Sequence, residues 1–391
     1  MKDAVIVSAV RSAVGRGKKD GALASVHPTD LSARVMRAAV DAAKVDPAVV
    51  DDIFWGCAMP EASQGLNVAR LSSLAAGIPV DVPSATINRF CSSGLQTVAL
   101  AAQEIMSGMA DVVLAGGIEM MSQVPMSGFH TRLSPELTES YIGMGFTAER
   151  VAERWKVSRD DQDAWAFASQ QKAAKALAER RFERQIVPIP TLQVSWKGAK
   201  RSESRTEFAR DELPRTDTTR EGLAKLRPAF KANGTVTAGN ASPYSDGAAA
   251  LLVMSADKAT EMGCKPLARF ITFAAAGVEP DVMGAGPIKA VPKALKRAGL
   301  SMKDIKLIEF NEAFAAQVVA VVRDLDMPPA IVNVNGGAIA LGHPLGATGA
   351  KLTTQLIHEL GRRGGGTGLV TMCIGGGMGA AGLFEVFPVT A

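Results

Sequence analysis

The sequence predicts an α/β protein made of two similar halves with an inserted block between them. Three observations support this fold class. The 391 residues are 47% hydrophobic but only 5% aromatic, and 38 glycines suit many tight turns between strands and helices. Strand-like and helix-like stretches alternate along the chain. A succession of strand, glycine-containing turn, helix and buried strand occurs twice, which indicates an internal duplication.

The first half begins at the amino terminus. Apolar runs of β-type composition alternate there with stretches of helical apolar spacing. Strands are expected over residues 3–10, 53–57, 85–88 and 111–119, and helices over residues 28–43 and 95–106. The sequence Cys-Ser-Ser-Gly at residues 91–94 turns the chain between a strand and the second helix.

The second half repeats this arrangement near the carboxyl terminus. Residues 333–337 are expected as a strand that leads into the turn GHPLGATGA, followed by a helix over residues 351–360 and the buried strand GLVTMCIGGG. Between the halves lie Met-, Arg- and Pro-rich segments with two helical stretches, and Ser158 with Asp161 resembles a capping box. The predicted division is residues 1–119 with 247–269, an inserted block 120–246, and residues 270–391.

Composition excludes several classes of protein. No stretch reaches the roughly 18 uncharged apolar residues that a membrane span requires, and the start MKDAVIVSAV indicates a strand rather than a signal peptide. We therefore expect a cytoplasmic protein that does not enter a membrane and keeps its four cysteines reduced. The spacing of cysteines and histidines matches no zinc site, so no metal is expected.

The net charge of +4 is concentrated in one region of the chain. Between Lys197 and Lys231 there are ten Lys or Arg residues but six Asp or Glu residues. This excess fits either a solvated surface or a site for an anionic ligand that carries phosphates. A nucleic-acid surface is disfavoured, because stacking aromatics and recognised modules are absent.

Cys91 lies where a predicted strand ends and a predicted helix begins. The free N–H groups and the dipole of a helix N-terminus favour negative charge, so this position is expected to activate the thiol. The Ser-Ser-Gly that follows lets the backbone N–H of Cys91 face a substrate oxygen, as an oxyanion hole requires. An isolated cysteine is more often a small buried hydrophobe. This one accompanies a second cysteine and a histidine in glycine-dense turns.

Two further positions can carry chemistry. His343 lies between Gly342 and Pro344, in a turn that restrains its ring, whereas the other three histidines occupy polar or helical settings that fit structural roles. Asn311 follows the apolar strand LIEF and opens the run NEAFAA. Its amide either caps the next helix or orders a catalytic water, and the residues alone leave both open.

Four separated motifs together resemble those of the thiolase family. They are NRFCSSGLQ, NEAFAAQ, GGAIALGHPLGATGA and CIGGGMGAA, and the resemblance covers nearly the whole chain. It implies the duplicated αβαβα layered fold of that family, with an inserted loop domain. It also implies that Cys91 is the nucleophile that becomes acylated, that His343 takes its proton, and that Cys373 serves as acid and base.

The reaction follows from the same resemblance. Cys91 attacks the 3-keto carbon of a 3-ketoacyl-CoA, Cys373 protonates the departing acetyl-CoA, and coenzyme A then removes the acyl group. In reverse, two acetyl-CoA molecules give acetoacetyl-CoA. Two oxyanion sites are implied: His343 with a water held by Asn311, and the N–H groups of Cys91 and Gly375. Coenzyme A is a substrate here, and no metal or prosthetic group is needed.

Substrate contacts also carry over from the family. Ser242 resembles the serine that meets the pantetheine arm of coenzyme A. The residues that border the nucleotide are Arg215, Gly222 and Leu223. Apolar walls near the pantetheine or acyl group are expected from Phe230, Met283 and Phe314. Residues of these apolar types also fit an ordinary core.

The covering loop departs from one branch of the family. Biosynthetic acetoacetyl-CoA thiolases typically have His-Met-Gly there, whereas this chain has Gly143 before Met144. Hydrogen in place of a large ring leaves room beside the acyl group, so we expect Met144 to border the substrate and longer 3-ketoacyl chains to be accepted. The motifs GAGPI and CIGGGMG instead resemble the acetyl-specific branch, which leaves chain length open.

The resemblance bears on partners and direction as well. Members of the family are dimers or tetramers, so a homodimer or homotetramer is expected. The expected direction is thiolysis, in fatty-acid β-oxidation or a related degradative pathway, and an association with other β-oxidation enzymes stays open.

Two other functions fit these residues less well. Decarboxylating ketosynthases share the fold and the cysteine nucleophile, but they resemble a Cys-His-His or Cys-His-Asn pattern, and Cys373 argues against them. A noncatalytic CoA- or lipid-binding relative needs none of the four reactive residues, which are Cys91, Asn311, His343 and Cys373.

Overall fold

The computed structural model describes residues 2–125, 134–198 and 200–389. Its strands are β1 (Ala4–Ser12), β2 (Gly15–Arg16), β3 (Asp52–Cys57), β4 (Ala85–Ile87), β5 (Val112–Met120), β6 (Ile186–Val187), β7 (Ile189–Lys197), β8 (Lys200–Phe208), β9 (Ser245–Ser255), β10 (Ala268–Gly277), β11 (Leu307–Phe310), β12 (Gly366–Ile374) and β13 (Met378–Val386). Its α-helices are α1 (Pro28–Ala43), α2 (Val68–Ala75), α3 (Ser93–Ser107), α4 (Met144–Arg154), α5 (Arg159–Ala178), α6 (Arg220–Ala224), α7 (Ala256–Glu261), α8 (Gly286–Ala298), α9 (Ala315–Asp324), α10 (Ala338–Leu341) and α11 (Leu345–Arg362).

A large sheet runs through both halves of the chain. Its strand order is β11-β12-β13-β10-β1-β9-β5-β3-β4, with β2 paired to β9 and β6 to β1. The halves meet where β1 pairs antiparallel with β10. The pairs of β3 with β4 and β5, and of β11 with β12, are parallel. Parallel strands need a crossover connection, and α3 provides it between β4 and β5.

The helices α3 and α11 pack against each other between the two halves of the sheet. Side chains of a strand alternate between its faces. On β9, Ala249, Leu251 and Val253 face the core around α3 and α11, while Ala250 and Leu252 join the core beneath α1. The outer face of the other half is covered by α8 and α9. The layers therefore follow the order helix, sheet, helix, sheet, helix, and the predicted αβαβα fold is confirmed.

The second half differs from the prediction at residues 333–337, which do not form a strand. Val332 makes one isolated parallel bridge with Ile308. Asn333 then adopts a left-handed conformation with φ of 45°. Its side-chain amide accepts from the Phe310 N–H at 2.7 Å and donates to the Phe310 carbonyl at 2.8 Å. That prediction was wrong, because a side chain replaces the backbone pairing.

The inserted block contains α4, α5, α6 and the hairpin of β7 and β8. The predicted capping box at the start of α5 is confirmed. The Ser158 hydroxyl accepts from the Asp161 N–H at 3.1 Å, and the Asp161 carboxylate accepts from the Ser158 N–H at 3.0 Å. The helix α5 packs against α9 and α10, close to the reactive turns. The division at residues 119, 246 and 269 stays a prediction.

Two properties concern the described part of the chain as a whole. It contains no helix that is both long enough and apolar enough to span a membrane. Its His, Cys, Asp and Glu side chains form no group of three or more that could hold a metal ion. The four cysteines are free.

Candidate active site

Cys91 lies at the junction of β4 and α3, as predicted. Residues Phe90–Ser92 form a 3₁₀ turn that continues into α3. Phe90 has a left-handed backbone with φ of 43°, a conformation that is strained for a residue with a bulky side chain. The Ser93 hydroxyl holds the turn: it donates to the Phe90 carbonyl at 2.7 Å and accepts from the Arg89 N–H at 2.9 Å. The thiol is thereby presented at a helix N-terminus.

The charge state of Cys91 differs from the expected one. Desolvation by burial raises the pKa of the Cys91 thiol to about 11. Hydrogen bonds to the sulfur from the backbone N–H groups of Gly375 and of Cys91 itself act in the opposite direction, but they do not outweigh the burial. The prediction that the helix N-terminus activates the thiol was wrong for this state of the protein. Cys91 is a neutral thiol at pH 7 and needs a base to take its proton.

Cys373 and Gly375 lie where β12 turns into β13. Gly376 and Gly377 form this turn with φ of 79° and 87°, which glycine adopts without steric cost. The turn brings the Gly375 N–H to the sulfur of Cys91. Cys373 is fully buried; burial, and next the charge of Cys91, raises the pKa of its thiol well above the usual value. The two thiols are therefore neighbours, and Cys373 keeps its proton at neutral pH.

His343 is fixed at its backbone and at its ring. Its N–H donates to the Ser245 hydroxyl at 2.9 Å, and the preceding Gly342 has φ of 81°. Ring Nδ1 lies 2.6 Å from Oγ1 of Thr348. That hydroxyl donates its hydrogen bond to the Pro344 carbonyl at 2.9 Å, so it acts as the acceptor toward the ring. Nδ1 therefore carries the ring hydrogen, and Nε2 has the free lone pair.

The lone pair of His343 faces Asn311. Nδ2 of Asn311 lies 3.3 Å from Nε2 of His343, and Oδ1 of the same amide has no hydrogen-bond partner among the described residues. Burial, and secondly the charge of Lys351, lowers the pKa of His343 to about 3. The ring is therefore neutral at pH 7, and its Nε2 carries no hydrogen. The N-cap of α9 is Phe314, so the alternative that Asn311 caps this helix was wrong.

A cavity of about 330 Å³ lies beside the loop that contains Ser242. Arg215 and Leu223 line it, as do Ala241 and Pro243 on either side of Ser242. The Ser242 N–H donates to the Ala313 carbonyl at 2.9 Å, which ties this loop to the Asn311 turn. Gly222 lies nearby in α6, outside the lining, with its N–H bonded to the Thr219 hydroxyl at 3.0 Å. Two of the four predicted coenzyme A positions, Arg215 and Leu223, thus line this cavity, and Ser242 lies between two further lining residues.

The apolar residues predicted near the substrate gather around Cys373 and Gly375. The buried side chains of Met283 and Phe314 share one cluster with Cys373. The Phe230 ring packs edge to face on Phe314, with 6.1 Å between ring centroids. The sulfur of Met144, at the start of α4, lies 3.8 Å from the position that a Cβ on Gly375 would take. Met144 and Phe230 remain partly exposed, as contact with a substrate requires.

Sequence reasoning missed three buried polar residues. Thr348 orients the His343 ring, Glu312 follows Asn311, and Glu119 is the penultimate residue of β5. The Glu119 carboxylate accepts from the Gly346 N–H at 2.9 Å, and burial raises its pKa to about 7. Thr348 and Glu312 lie inside the quoted motifs, so a polar residue in an otherwise apolar motif was an available signal.

Two family models match the chain. The model described as Thiolase, N-terminal domain matches residues 4–257, and the model described as Thiolase, C-terminal domain matches residues 264–386. The chain belongs to the thiolase family. The resemblance that the four motifs indicate is confirmed. The structure makes Cys91 and Cys373 neighbours and brings His343 to Asn311.

The thiolases that this chain is similar to have one of two names, 3-ketoacyl-CoA thiolase or acetyl-CoA acetyltransferase. The chain is 54% identical over 391 residues to a 3-ketoacyl-CoA thiolase of Bacillus subtilis, covering 99% of this chain and all of that protein. It is 46% identical to an acetyl-CoA acetyltransferase of Pseudomonas aeruginosa, covering 97% of this chain and 98% of the relative. The crystal structure of the Bacillus anthracis acetyl-CoA acetyltransferase aligns with a TM-score of 0.89, 42% identity and 99% coverage of both chains. Both names describe acyltransferases.

Proposed function

We propose that this thiolase catalyses the reversible, CoA-dependent cleavage of 3-ketoacyl-CoA to acetyl-CoA and a shortened acyl-CoA, through an acyl-Cys91 intermediate. One observation carries the proposal: two neighbouring thiols, Cys91 and Cys373, differ in their surroundings. Cys91 has partial solvent access and two N–H groups at its sulfur, whereas Cys373 is fully buried. Such an arrangement suits one thiol for attack and the other for proton transfer.

In the first half-reaction, neutral His343 takes the proton of Cys91 at Nε2. The Cys91 thiolate attacks the 3-keto carbon, and the N–H groups of Cys91 and Gly375 stabilise the resulting oxyanion, each such donor contributing about 3 kcal/mol. The bond between carbons 2 and 3 then breaks. The departing enolate of acetyl-CoA takes a proton from Cys373, while the Asn311 amide, through a water, and His343 stabilise its oxygen.

In the second half-reaction, coenzyme A enters as a thiol. The Cys373 thiolate takes the proton of its sulfhydryl group, and the new thiolate attacks the acyl carbon on Cys91. The thioester bond to Cys91 breaks, and the imidazolium of His343 returns its proton to the Cys91 sulfur. Every proton is thereby returned, so the chemistry requires no prosthetic group.

The phosphates and pantetheine of coenzyme A are proposed to occupy the cavity of about 330 Å³. Arg215 lines it and can pair with a phosphate. Leu223 lines the same cavity, and Gly222 precedes it in α6. Ser242 is proposed to meet the pantetheine from a loop that is tied to the Asn311 turn. Of the basic residues between Lys197 and Lys231, Arg215 lines this cavity, whereas those of β8 are exposed, so the interpretation as an anion-binding region is proposed for Arg215.

Longer 3-ketoacyl chains and a degradative role are proposed because of the space at Gly143. A Cβ placed on Gly143 would meet the Phe146 ring at 3.5 Å, and no other group of the described residues within 4 Å. The Gly143→His variant is expected to lower kcat/KM for 3-ketooctanoyl-CoA by about tenfold and to change that for acetoacetyl-CoA by less than about twofold. Equal losses for both substrates would contradict this assignment.

A homodimer or homotetramer is proposed on the basis of one sheet edge. The strand β4 ends the sheet, and next to it α2 is tied to Ser84 and Thr86. Exposed apolar side chains lie around this edge, among them Leu66, 90% exposed, and Val80, 69% exposed. Light scattering of wild type and Val80→Asp tests the assignment: the variant is expected to shift toward monomer. A cytoplasmic location stays a prediction.

Steady-state kinetics test the proposed function. A ping-pong mechanism predicts parallel double-reciprocal lines when 3-ketoacyl-CoA and coenzyme A are varied together. Intersecting lines, or no turnover by the folded protein with chains from acetoacetyl-CoA to 3-ketododecanoyl-CoA, would contradict it. A ketosynthase would release carbon dioxide from a malonyl thioester, and a noncatalytic binder would retain coenzyme A without turnover.

A further inference from the structure

The carboxylate of Glu312 lies at the centre of a buried hydrogen-bond network next to Asn311. Glu312 is 1% exposed. Its two oxygens accept four hydrogen bonds: from Trp165 Nε1 at 3.0 Å, Ser169 Oγ at 2.6 Å, Asn333 Nδ2 at 2.8 Å and Ile339 N at 3.3 Å. A carboxylate with this many donors holds each of their elements in a fixed relation to its own backbone.

These donors come from three separate segments. Trp165 and Ser169 belong to α5 of the inserted block. Asn333 follows α9 and bonds the backbone of Phe310 at the end of β11. Ile339 lies in α10, just before the His343 turn. Glu312 itself is in the turn that carries Asn311. The network therefore connects α5 to the two segments that meet where Asn311 contacts His343.

Gly337 adds a steric contact to the network. Its N–H donates to the Ser169 hydroxyl at 2.9 Å, and a Cβ placed on it would overlap the Glu312 carboxylate. The φ of Gly337 is −117°, a value that any residue adopts. Glycine is therefore required at this position by the nearby carboxylate, not by the backbone conformation.

The nucleophile turn lies outside this network. Cys91 and Gly375 belong to the turns before α3 and after β12, which make no hydrogen bond to Glu312 in the described chain. The His343 ring and backbone are held by Thr348 and Ser245. Among the groups assigned to the reaction, Glu312 therefore acts mainly on Asn311.

We infer that Glu312 is a positioning residue for the enolate site: it fixes the Asn311 amide from α5 of the inserted block, without serving the acyl-transfer site at Cys91. The inference rests on the proposed function, in which Asn311 stabilises the enolate oxygen. It assigns the inserted block a part in carbon–carbon bond chemistry, in addition to the binding of coenzyme A.

Two isotope exchanges separate the two sites. Exchange of labelled coenzyme A into acetyl-CoA reports acylation of Cys91, which uses the N–H groups of Cys91 and Gly375. Incorporation of deuterium from D₂O into the methyl group of acetyl-CoA reports enolate formation, which uses Cys373 and the Asn311 site. A variant that merely loosens the fold slows both exchanges together.

The first test variant is Glu312→Gln, which places an amide N–H₂ among four donors. We expect deuterium incorporation to fall by about tenfold or more, while coenzyme A exchange stays within about twofold of wild type. The matched control is Glu309→Gln, a buried carboxylate on β11, the strand that leads into the Glu312 turn, which bonds none of these groups. Both exchanges should persist in that variant.

A second variant keeps the carboxylate. Gly337→Ala displaces Glu312 sterically and should also slow deuterium incorporation selectively, and Ser169→Ala, which removes one donor, should do so to a smaller extent. The inference would be overturned if a folded variant of this set lost both exchanges equally or lost neither. Absence of both exchanges in the wild type would instead contradict the proposed function.

Discussion

The orientation of the His343 ring depends on a single hydroxyl. The Thr348 hydroxyl accepts a hydrogen bond from ring Nδ1 at 2.6 Å and donates one to the Pro344 carbonyl. All three groups are buried. In Thr348→Val the Nδ1 hydrogen has no acceptor. The ring then favours the tautomer that carries its hydrogen on Nε2, and in that tautomer Nε2 cannot take the proton of Cys91.

The size of this effect follows from the cost of an unpaired buried donor. That cost is about 1–3 kcal/mol, so the productive tautomer becomes less favourable by about 5- to 150-fold. Because Cys91 is a neutral thiol in the free enzyme, with its pKa raised by burial to about 11, each turnover needs the base. We therefore expect kcat/KM for acetoacetyl-CoA to fall by this factor.

The assay is thiolysis of acetoacetyl-CoA, followed by the loss of its enolate absorbance. Thr348→Ser keeps the hydroxyl and should retain activity within about threefold of wild type. Thr353→Val is the matched control, because its buried hydroxyl bonds to the Gly349 carbonyl at 2.8 Å on the same helix and away from His343. Activity of a folded Thr348→Val protein equal to that of Thr353→Val would refute the reasoning.

Three further predictions concern stability and can be measured by urea unfolding. Gly346→Ala should destabilise the fold by about 1–3 kcal/mol, because a Cβ would lie 2.6 Å from the Ile118 carbonyl oxygen; an unchanged midpoint would contradict this. Asp211→Ala should cost about 3–5 kcal/mol, because it leaves buried Arg11 without its ion-pair partner at 2.7 Å; a loss below 1 kcal/mol, on the order of a surface pair, would argue otherwise. Burial raises the pKa of Glu309 from 4.5 to about 8, so the stability that its protonated form provides is present below pH 4.5 and is lost as pH rises to about 8. The free energy of unfolding of Glu309→Gln relative to that of wild type should therefore increase from pH 4.5 to about 8. A difference between the two proteins that does not change with pH would refute the assignment.

The sequence predicted those parts of the fold that depend on local pattern. The helix over residues 28–43 coincides with α1, and the capping box of α5 is present. Cys91 lies at the junction of strand and helix for the same local reason. The glycines of CIGGGMG allowed the turn after β12 to be expected, since only a positive φ brings this backbone to Cys91.

Other features depend on contacts between distant segments and have no local signature. The bonds from Trp165 and Ser169 to Glu312 connect residues 147 and 143 positions apart. The charge state of Cys91 also depends on distant segments. The sequence predicts the helix N-terminus, but it does not predict how deeply the surrounding protein buries the sulfur. The strand predicted at residues 333–337 failed because the Asn333 side chain takes the place of backbone pairing.

The covalent intermediate is the central claim of this account. The measurement that tests it most directly is the intact mass of wild type and of Cys91→Ala after brief incubation with acetoacetyl-CoA and acid quenching. We expect one added acetyl group on wild type and none on Cys91→Ala. An acetyl group that persists in Cys91→Ala, or its absence from wild type that turns over the same substrate, would contradict the assignment of Cys91 as the nucleophile.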